Sequence, residues 1–187
     1  MGHGRRRPRP AQLSSRSCAA PRVRPRSDRV SSLGMAVYVV RHAKAGDREE
    51  WQGDDRLRPL TKSGREQAEG ITELLKNEPI DRILSSPYVR CLQTVEPLAA
   101  RRKLPIEPRK DLEEGAGAES VIRLLQAAKG GNLVLCTHGD VVEELLARLI
   151  EQGLVARTGA RNEKGGTWVL YEENGSLTSA KYLPAPY

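Results

Sequence analysis

The hydrophobic positions of the chain fall into short unbroken runs, and longer segments with helical periodicity separate them. Residues 37–40 are apolar and mostly β-branched, and the chain becomes polar directly after them. Such a run is typical of a buried strand in a parallel sheet. Residues 81–86 and 132–136 are predicted to form two further strands on the same grounds.

The segments between these strands predict helices. Thr61 is suited to cap the N-terminus of the first helix. The residues expected on the buried face of that helix are Ala68, Ile71, Leu74 and Leu75. The second helix is expected to begin at Pro87 and to be kinked or split at Pro97. Further helices are predicted from about residue 119 to 129 and from about residue 139 to 152.

Two alternating segments, residues 167–172 and 176–182, flank Asn174 and Gly175 near the C-terminus. Asn-Gly between alternating segments is a strong signal of a hairpin. Strands that alternate with helices favour a parallel or mostly parallel sheet covered on both faces. The predicted fold class is therefore α/β, a three-layer sandwich with helices on both faces of a mostly parallel sheet and a C-terminal β-hairpin.

Charge divides the 187-residue chain, which carries a formal net charge of +7, into two regions. Residues 1–34 contain nine arginines and one acidic residue, whereas the remainder contains 22 basic and 23 acidic residues. The first region is rich in Arg, Pro and Ser and has too few large apolar residues to bury a core. We therefore expect a disordered tail over residues 1–34 and a folded domain over residues 35–187.

Three interpretations of the tail are open. Its composition fits a transit-like peptide or a nucleic-acid-binding arm. However, the chain has only two methionines, Met1 and Met35, and Met35 stands two residues before the first strand. We favour the third interpretation, in which translation starts at Met35 and the tail is not made. A nucleic-acid partner is therefore not expected.

The cysteines and histidines limit the kinds of functional site that the chain can form. Cys18, Cys91 and Cys136 form no paired motif, which predicts reduced thiols in a cytoplasmic protein. No apolar run is long enough to span a membrane, and no cluster of metal ligands is present. We therefore expect no membrane association, no metal and no cofactor. Beyond the tail, the only histidines are His42 and His138.

Polar residues follow each of the three predicted core strands. Arg41 and His42 come after the first strand, Arg90 lies in the first turn of the helix after the second, and His138 comes after the third. Because the carboxyl ends of parallel strands meet at one edge of a sheet, these four side chains are expected to surround one point. Two helix N-termini at the same edge add backbone N–H groups that favour an anion.

Two arginines and two histidines around one point suit phosphoryl transfer without a metal. Guanidinium groups match the charge that spreads over the three equatorial phosphoryl oxygens. One imidazole must be neutral to attack, and nearby cations lower its pKa, while the other can donate to phosphate. Each residue alone has an ordinary structural interpretation, and it is their convergence that predicts the site.

Five segments, in this order, together resemble the histidine phosphatase (phosphoglycerate-mutase-like) superfamily: RHAKAG, RPLTKSGREQA, SSPYVRCLQT, LEEG and CTHGD. The similarity covers residues 37–182 and is nearest to the small SixA-type phosphohistidine phosphatase branch. It implies that Arg41, His42, Arg90 and His138 form the phosphate pocket and that His42 is the phosphorylated nucleophile.

Two features depart from the SixA type. The Gly that usually follows the Arg-His pair is Ala43 here, and we expect the fold to tolerate this small residue. Residues 161–168 and 53–55 instead resemble the phosphatase domain that follows some Nudix hydrolases, although the chain contains no Nudix box. Lys44 and Arg58 are further candidates for substrate binding, with a solvated surface position as the alternative for Lys44.

Two adjacent glutamates are candidates for the general acid. Mutase-like relatives use a Glu two residues after a Leu, so the resemblance implies Glu114, with Glu113 as its rival. A leaving imidazole needs less help from an acid than a leaving alkoxide. Glu114 therefore favours oxygen esters over phosphohistidine.

The sequence thus predicts a phosphatase that works through a phosphohistidine. The resemblance implies a phosphohistidine protein as the first substrate class. The alternative enzyme acts on nucleotides or other small phosphate compounds, which residues 164–168 favour. A mutase is disfavoured because residues 35–187 leave little room for a large lid. A phosphate-binding module without turnover is the non-enzyme alternative, which the intact His42 disfavours.

Overall fold

The computed structural model describes residues 1–2, 34–128 and 130–187. The strands are β1 (Met35–Arg41), β2 (Arg82–Ser85), β3 (Ile106–Pro108), β4 (Leu133–Thr137), β5 (Thr167–Glu173) and β6 (Ser176–Leu183). The helices are α1 (Lys62–Leu74), α2 (Val89–Arg102), α3 (Ala118–Ala127) and α4 (Gly139–Glu151). Nearly all of the expected tail lies outside the described residues, so its disorder stays a prediction.

The six strands form one sheet in the order β3-β2-β4-β1-β5-β6. The first four are parallel to each other, and β5 and β6 are antiparallel additions at one edge. Arg41 at the end of β1 pairs with Thr137 at the end of β4. The two central strands therefore end at the same level, and the residues that follow them emerge side by side.

Alternate residues of β1 contribute to two separate hydrophobic clusters. Val37 and Val39 pack in the cluster that contains the apolar residues of α3 and α4. Tyr38 and Val40 pack in the cluster that contains those of α1 and α2. Because the side chains of a strand alternate between its faces, one helix pair covers each face of the sheet. The predicted three-layer α/β sandwich is confirmed.

One expected position on the predicted helices is wrong, and one proline is accommodated without a break. Leu74 was expected on the buried face of α1, but it is 42% exposed, and Leu75 after it is fully buried. Pro97 lies inside α2 and does not split it, because the helix continues from Val89 to Arg102. Val95 and Leu98, buried on either side of the proline, anchor the helix to the sheet across the missing backbone hydrogen bond.

Other local predictions agree with the structure. The Thr61 hydroxyl accepts a hydrogen bond from the backbone N–H of Gly64 (3.1 Å) and so caps α1. Asn174 and Gly175 both have positive φ, as a tight hairpin turn between β5 and β6 requires. The short edge strand β3 is not among the predicted strands, because three residues carry no periodic signal. No described helix has the length and apolar character needed to cross a membrane.

Candidate active site

His42 follows β1 and is held at the edge of the sheet by its backbone and its ring. Its N–H donates to the carbonyl of Thr137 (3.0 Å), which continues the pairing of β1 with β4. Its ring Nδ1 lies 2.8 Å from the carbonyl oxygen of Ala43. Because a carbonyl only accepts, Nδ1 carries the proton, and Nε2 is left with a free lone pair.

The environment of His42 keeps its imidazole neutral. Burial, His138, Arg90 and Arg41 together lower the pKa of His42 to about 3, with burial the largest cause, against the opposing effect of the hydrogen bond to Ala43. Burial and nearby positive charge both disfavour the protonated imidazole. The ring is only 7% exposed. His42 is therefore a neutral imidazole at physiological pH, the state that a nucleophile requires.

His138 is fixed by contacts around its ring. Its Nε2 lies 2.8 Å from the Ser86 hydroxyl and 3.5 Å from the Cys91 thiol. Its Nδ1 lies 3.4 Å from a terminal nitrogen of Arg90, and Tyr88 packs edge-on against it with 4.7 Å between ring centroids. The ring centroids of His42 and His138 are 5.4 Å apart. The two imidazoles thus face one small space.

Arg41 is held by neutral groups. Its terminal nitrogen NH1 donates to the backbone oxygen of Asn162, and the side-chain oxygen of Asn162 lies 3.4 Å away. The amide nitrogen of Asn162 in turn donates to the carbonyl of Gly139 (2.7 Å). A Cβ at position 139 would lie 2.8 Å from the Cζ of Arg41, so the guanidinium packs directly against this glycine.

Arg90 is 1% exposed and is held by charged groups. Its NH1 donates to the backbone oxygen of Asp55 (2.7 Å). Its NH2 lies 3.0 Å from the Asp55 carboxylate and 3.4 Å from that of Glu114. The Nε groups of Arg41 and Arg90 are buried and have no partner among the described residues. A buried donor without a partner costs about 1–3 kcal/mol, a cost that an acceptor within hydrogen-bond distance removes.

Residues 46–58, here called the lid loop, close the site beside Arg90. Arg48 donates from one nitrogen to both Asp55 (3.0 Å) and Glu114 (2.6 Å). Arg58 donates to Asp55 (2.8 Å) and to the carbonyl of Gly46. Burial alone would raise the pKa of Asp55, but the bonds from Arg58 and Arg48 and the charge of Arg90 hold it well below its usual range. Asp55 is therefore a permanent carboxylate.

Comparison with known proteins decides the family. The profile of the histidine phosphatase superfamily (branch 1) matches residues 37–119. An 8-oxo-(d)GTP phosphatase from Mycolicibacterium smegmatis is 41% identical over 155 residues, which cover 80% of this chain and 48% of that protein. A phosphohistidine phosphatase SixA homolog from Haemophilus influenzae is 30% identical over 130 residues, which cover 62% of this chain and 77% of that protein.

The chain belongs to the histidine phosphatase superfamily. A solved structure from Agrobacterium tumefaciens, assigned as a phosphohistidine phosphatase SixA, agrees with this histidine phosphatase fold at a TM-score of 0.68. That protein is 26% identical, and the match covers 81% of this chain and 98% of the other. The chain spans about half the length of the mycobacterial relative, so what that whole protein does is not transferred with the fold.

Within this histidine phosphatase fold, the structure brings most of the predicted pocket residues together. Arg41, His42, Arg90 and His138 surround one space, and Glu114 borders it through Arg90. Glu113 instead pairs with Arg56 (2.7 Å), whose side chain is 57% exposed. The two adjacent glutamates therefore have different surroundings, and only Glu114 contacts the phosphate-binding candidates.

The two additional candidates for substrate binding behave differently. Lys44 is exposed, and its backbone carbonyl accepts from the N–H of Thr61 (3.0 Å). Arg58 has a 7% exposed side chain that is committed to Asp55 and Gly46. Arg58 thus holds the lid loop, and substrate binding by Arg58 or Lys44 stays a prediction.

Sequence reasoning did not assign a role to four residues that shape the site, namely Ser86, Asp55, Asn162 and Gly139. Ser86 had a usable signal, because it directly follows β2 at the edge where the other polar residues gather. Asp55 and Asn162 lie in loops far along the chain from the arginines they bind, so no spacing rule indicates the pairing. Gly139 follows His138, but its role depends on where the Arg41 guanidinium packs.

Proposed function

We propose that this histidine phosphatase superfamily member hydrolyses phosphorylated substrates through a covalent phosphohistidine on His42. The observation that carries the proposal is a buried, neutral imidazole with a free Nε2 between two arginines whose Nε groups lack partners. These arginines and His138 are suited to hold the three equatorial oxygens of a phosphoryl group. The phosphatase domain comprises residues 35–187 in this proposal.

The reaction has two displacements at phosphorus. In the first, Nε2 of His42 forms a bond to phosphorus as the bond to the leaving group breaks, and Glu114 in its acid form gives the leaving group a proton. In the second, water attacks the phosphohistidine, the bond between phosphorus and Nε2 breaks, and Glu114 accepts the proton of the water. Inorganic phosphate and free His42 are the products.

The position of Glu114 supports its role over that of Glu113. The Glu114 carboxylate lies 3.4 Å from Arg90, whereas Glu113 is bound to the exposed Arg56. An acid beside the phosphoryl pocket is needed most when the leaving group is an alkoxide or a phosphate. This favours nucleotides or other small phosphate compounds as the leading substrate class.

The two substrate classes rest on different observations. The 41% identical relative is an 8-oxo-(d)GTP phosphatase, which supports the nucleotide class. The 30% identical relative and the Agrobacterium structure carry the name SixA, which supports a phosphohistidine protein as the second class. We place the protein in the cytoplasm, a proposal that the free thiols of Cys91 and Cys136 support.

A labelling experiment tests the mechanism. Wild-type protein is incubated with phosphorus-labelled nucleoside diphosphate, phosphohistidine peptide and p-nitrophenyl phosphate, and the reaction is quenched without acid. We expect a base-stable, acid-labile adduct, inhibition by vanadate, and no effect of chelators. His42→Ala should abolish both the adduct and turnover, whereas His138→Ala should slow turnover severely and still allow slow labelling.

Two results contradict the proposal. An adduct that maps to His138, or turnover that survives His42→Ala, would overturn the assigned nucleophile. Wild-type protein that binds phosphate but turns over no substrate of the panel would establish the binding module instead. Relative kcat/KM values across the panel decide between the two substrate classes.

A further inference from the structure

The backbone position of Arg90 does not by itself fix the direction of its guanidinium group. The residue lies in the first turn of α2, and a long flexible side chain separates the charged group from that helix. A positive charge near a helix N-terminus is also unfavourably placed with respect to the helix dipole. The ring of Tyr88, with its centroid 4.7 Å from the Arg90 Cζ, packs against the guanidinium, and the hydrogen bonds that direct this group come from elsewhere in the chain.

Asp55 contacts both terminal nitrogens of Arg90. Its backbone oxygen accepts from NH1 at 2.7 Å, and its carboxylate lies 3.0 Å from NH2. A guanidinium gripped at both terminal nitrogens cannot rotate about its own axis, because its donors are coplanar. The Nε donor is buried without a partner among the described residues.

Asp55 itself is anchored by two other arginines. Arg58 donates to one carboxylate oxygen (2.8 Å), and Arg48 contacts the other (3.0 Å). Arg58 is tied in turn to the carbonyl of Gly46 at the start of the lid loop. The Asp55 carboxylate is therefore held in the lid loop by contacts that do not involve Arg90.

We infer that Asp55 is a positioning residue, which orients Arg90 so that its free donors face the phosphoryl group. This inference rests on the proposed function, because it assigns Asp55 a role at that same pocket. Asp55 does not touch the substrate. It is a residue of the lid loop that acts through Arg90, and neither substrate binding nor proton transfer is assigned to it.

The inference has a distinctive kinetic consequence. A carboxylate beside the pocket repels a phosphate ester, so its removal does not weaken ground-state binding. Loss of the correct guanidinium direction weakens only the contacts that strengthen in the transition state. Asp55 should therefore act on kcat and leave KM unchanged or lower.

The test compares two adjacent aspartates. Asp55→Asn should lower kcat about 10- to 100-fold, the scale of loss that a misplacement of about 1 Å causes at a catalytic group. KM should stay within about threefold of the wild-type value or fall. Asp54→Asn is the matched control, because Asp54 caps the same short helical turn through the N–H of Arg56 (2.9 Å) and does not contact Arg90. It should leave both constants within about twofold.

A double-mutant cycle separates positioning from a structural effect. If Asp55 acts through Arg90, adding Asp55→Asn to the Arg90→Lys variant should lower kcat less than threefold. This loss is far smaller than the one that Asp55→Asn causes in the wild-type protein. Asp55→Ser is measured in parallel, and thermal melting is recorded for every variant. A loss of kcat that follows the melting temperature, or that is undiminished in the Arg90→Lys background, would refute the inference.

A readout without turnover keeps this inference separate from the proposed function. Orthovanadate, which adopts the five-coordinate geometry of phosphoryl transfer, is titrated directly by calorimetry into wild type, Asp55→Asn and Asp54→Asn. We expect about tenfold weaker binding for Asp55→Asn alone. If wild type turns over no substrate, the proposed function fails and the vanadate titration still decides the role of Asp55. If wild type is active and Asp55→Asn matches Asp54→Asn in both assays, only the role of Asp55 fails.

Discussion

The strand-end side of the pocket and its lid side hold their arginines by different means. Arg41 emerges from β1 and is held by the neutral Asn162, with its guanidinium packed on Gly139. Arg90 is held by the carboxylate and carbonyl of Asp55, which belongs to a loop. The strand-end side thus depends on paired strands and on hydrogen bonds to neutral groups. The lid side depends on ion pairs with residues of the lid loop.

This difference indicates which side of the pocket can change its conformation. The strand-end side is continuous with the pairing of β1 and β4, so moving it would break the sheet. The lid side depends on Arg48, whose side chain is 57% exposed where it bridges Asp55 and Glu114. Exposed ion pairs contribute only about 0–1 kcal/mol each. We therefore expect the strand-end side of the pocket to be rigid and the lid side to be able to change its conformation.

Glu114 provides the largest expected effect on the lid side. Glu114→Gln should slow substrates with poor leaving groups about 10²- to 10⁴-fold, the usual span of general acid catalysis. It should spare p-nitrophenyl phosphate, because that leaving group departs without a proton. Steady-state kcat/KM on an alkyl phosphate and on p-nitrophenyl phosphate checks this expectation.

Glu113→Gln is the matched control for Glu114→Gln. Glu113 precedes Glu114 in the chain but pairs with the exposed Arg56 and not with Arg90. The control should leave both substrates within about threefold of wild type. Equal losses on both substrates, or a larger loss from Glu113→Gln, would remove Glu114 from the role of proton donor.

Gly139→Ala tests the strand-end side. The added methyl group would lie 2.8 Å from the Arg41 guanidinium, which is the far end of a flexible side chain. The guanidinium should therefore shift at little cost in stability, and kcat/KM should fall about 10- to 100-fold because Arg41 is misplaced. Activity and melting temperature are measured on the same preparation.

Gly159→Ala is the control for this substitution. A Cβ at position 159, in a short helical turn, meets no atom within 4 Å, so it contacts neither Arg41 nor Asn162. Gly159→Ala should leave activity and melting temperature unchanged. If Gly139→Ala is as active as this control, the close packing of Arg41 on the glycine has no part in catalysis.

Arg48→Ala has the smallest expected effect and tests whether the lid side can change its conformation. Loss of the bridge between Asp55 and Glu114 should lower kcat/KM about two- to fivefold at low salt, because exposed pairs are weak. High salt should remove the difference between variant and wild type, since it screens the pair. Arg82→Ala, which removes an exposed pair with Glu107 at the start of β2, is the control and should have no effect. A loss above tenfold that persists at 1 M salt would show that the lid side is as rigid as the strand-end side.

The elements built by local rules were predictable from the sequence. The apolar run before Arg41 predicted β1, and Thr61 and the Asn174-Gly175 pair marked a helix start and a hairpin turn that the structure shows. Local rules failed where tertiary packing outweighed them. Pro97 stays inside α2 because its neighbours pack on the sheet.

What the sequence alone determined was the set of strand-end residues, because in a parallel sheet the chain direction carries Arg41, His42 and His138 to one edge. What only the tertiary structure decided was how these side chains are held. Asp55 meets Arg90 across 35 residues, and Asn162 meets Arg41 across 121. A contact between such distant segments depends on where two loops come to rest on the folded sheet, and no local periodicity encodes that position.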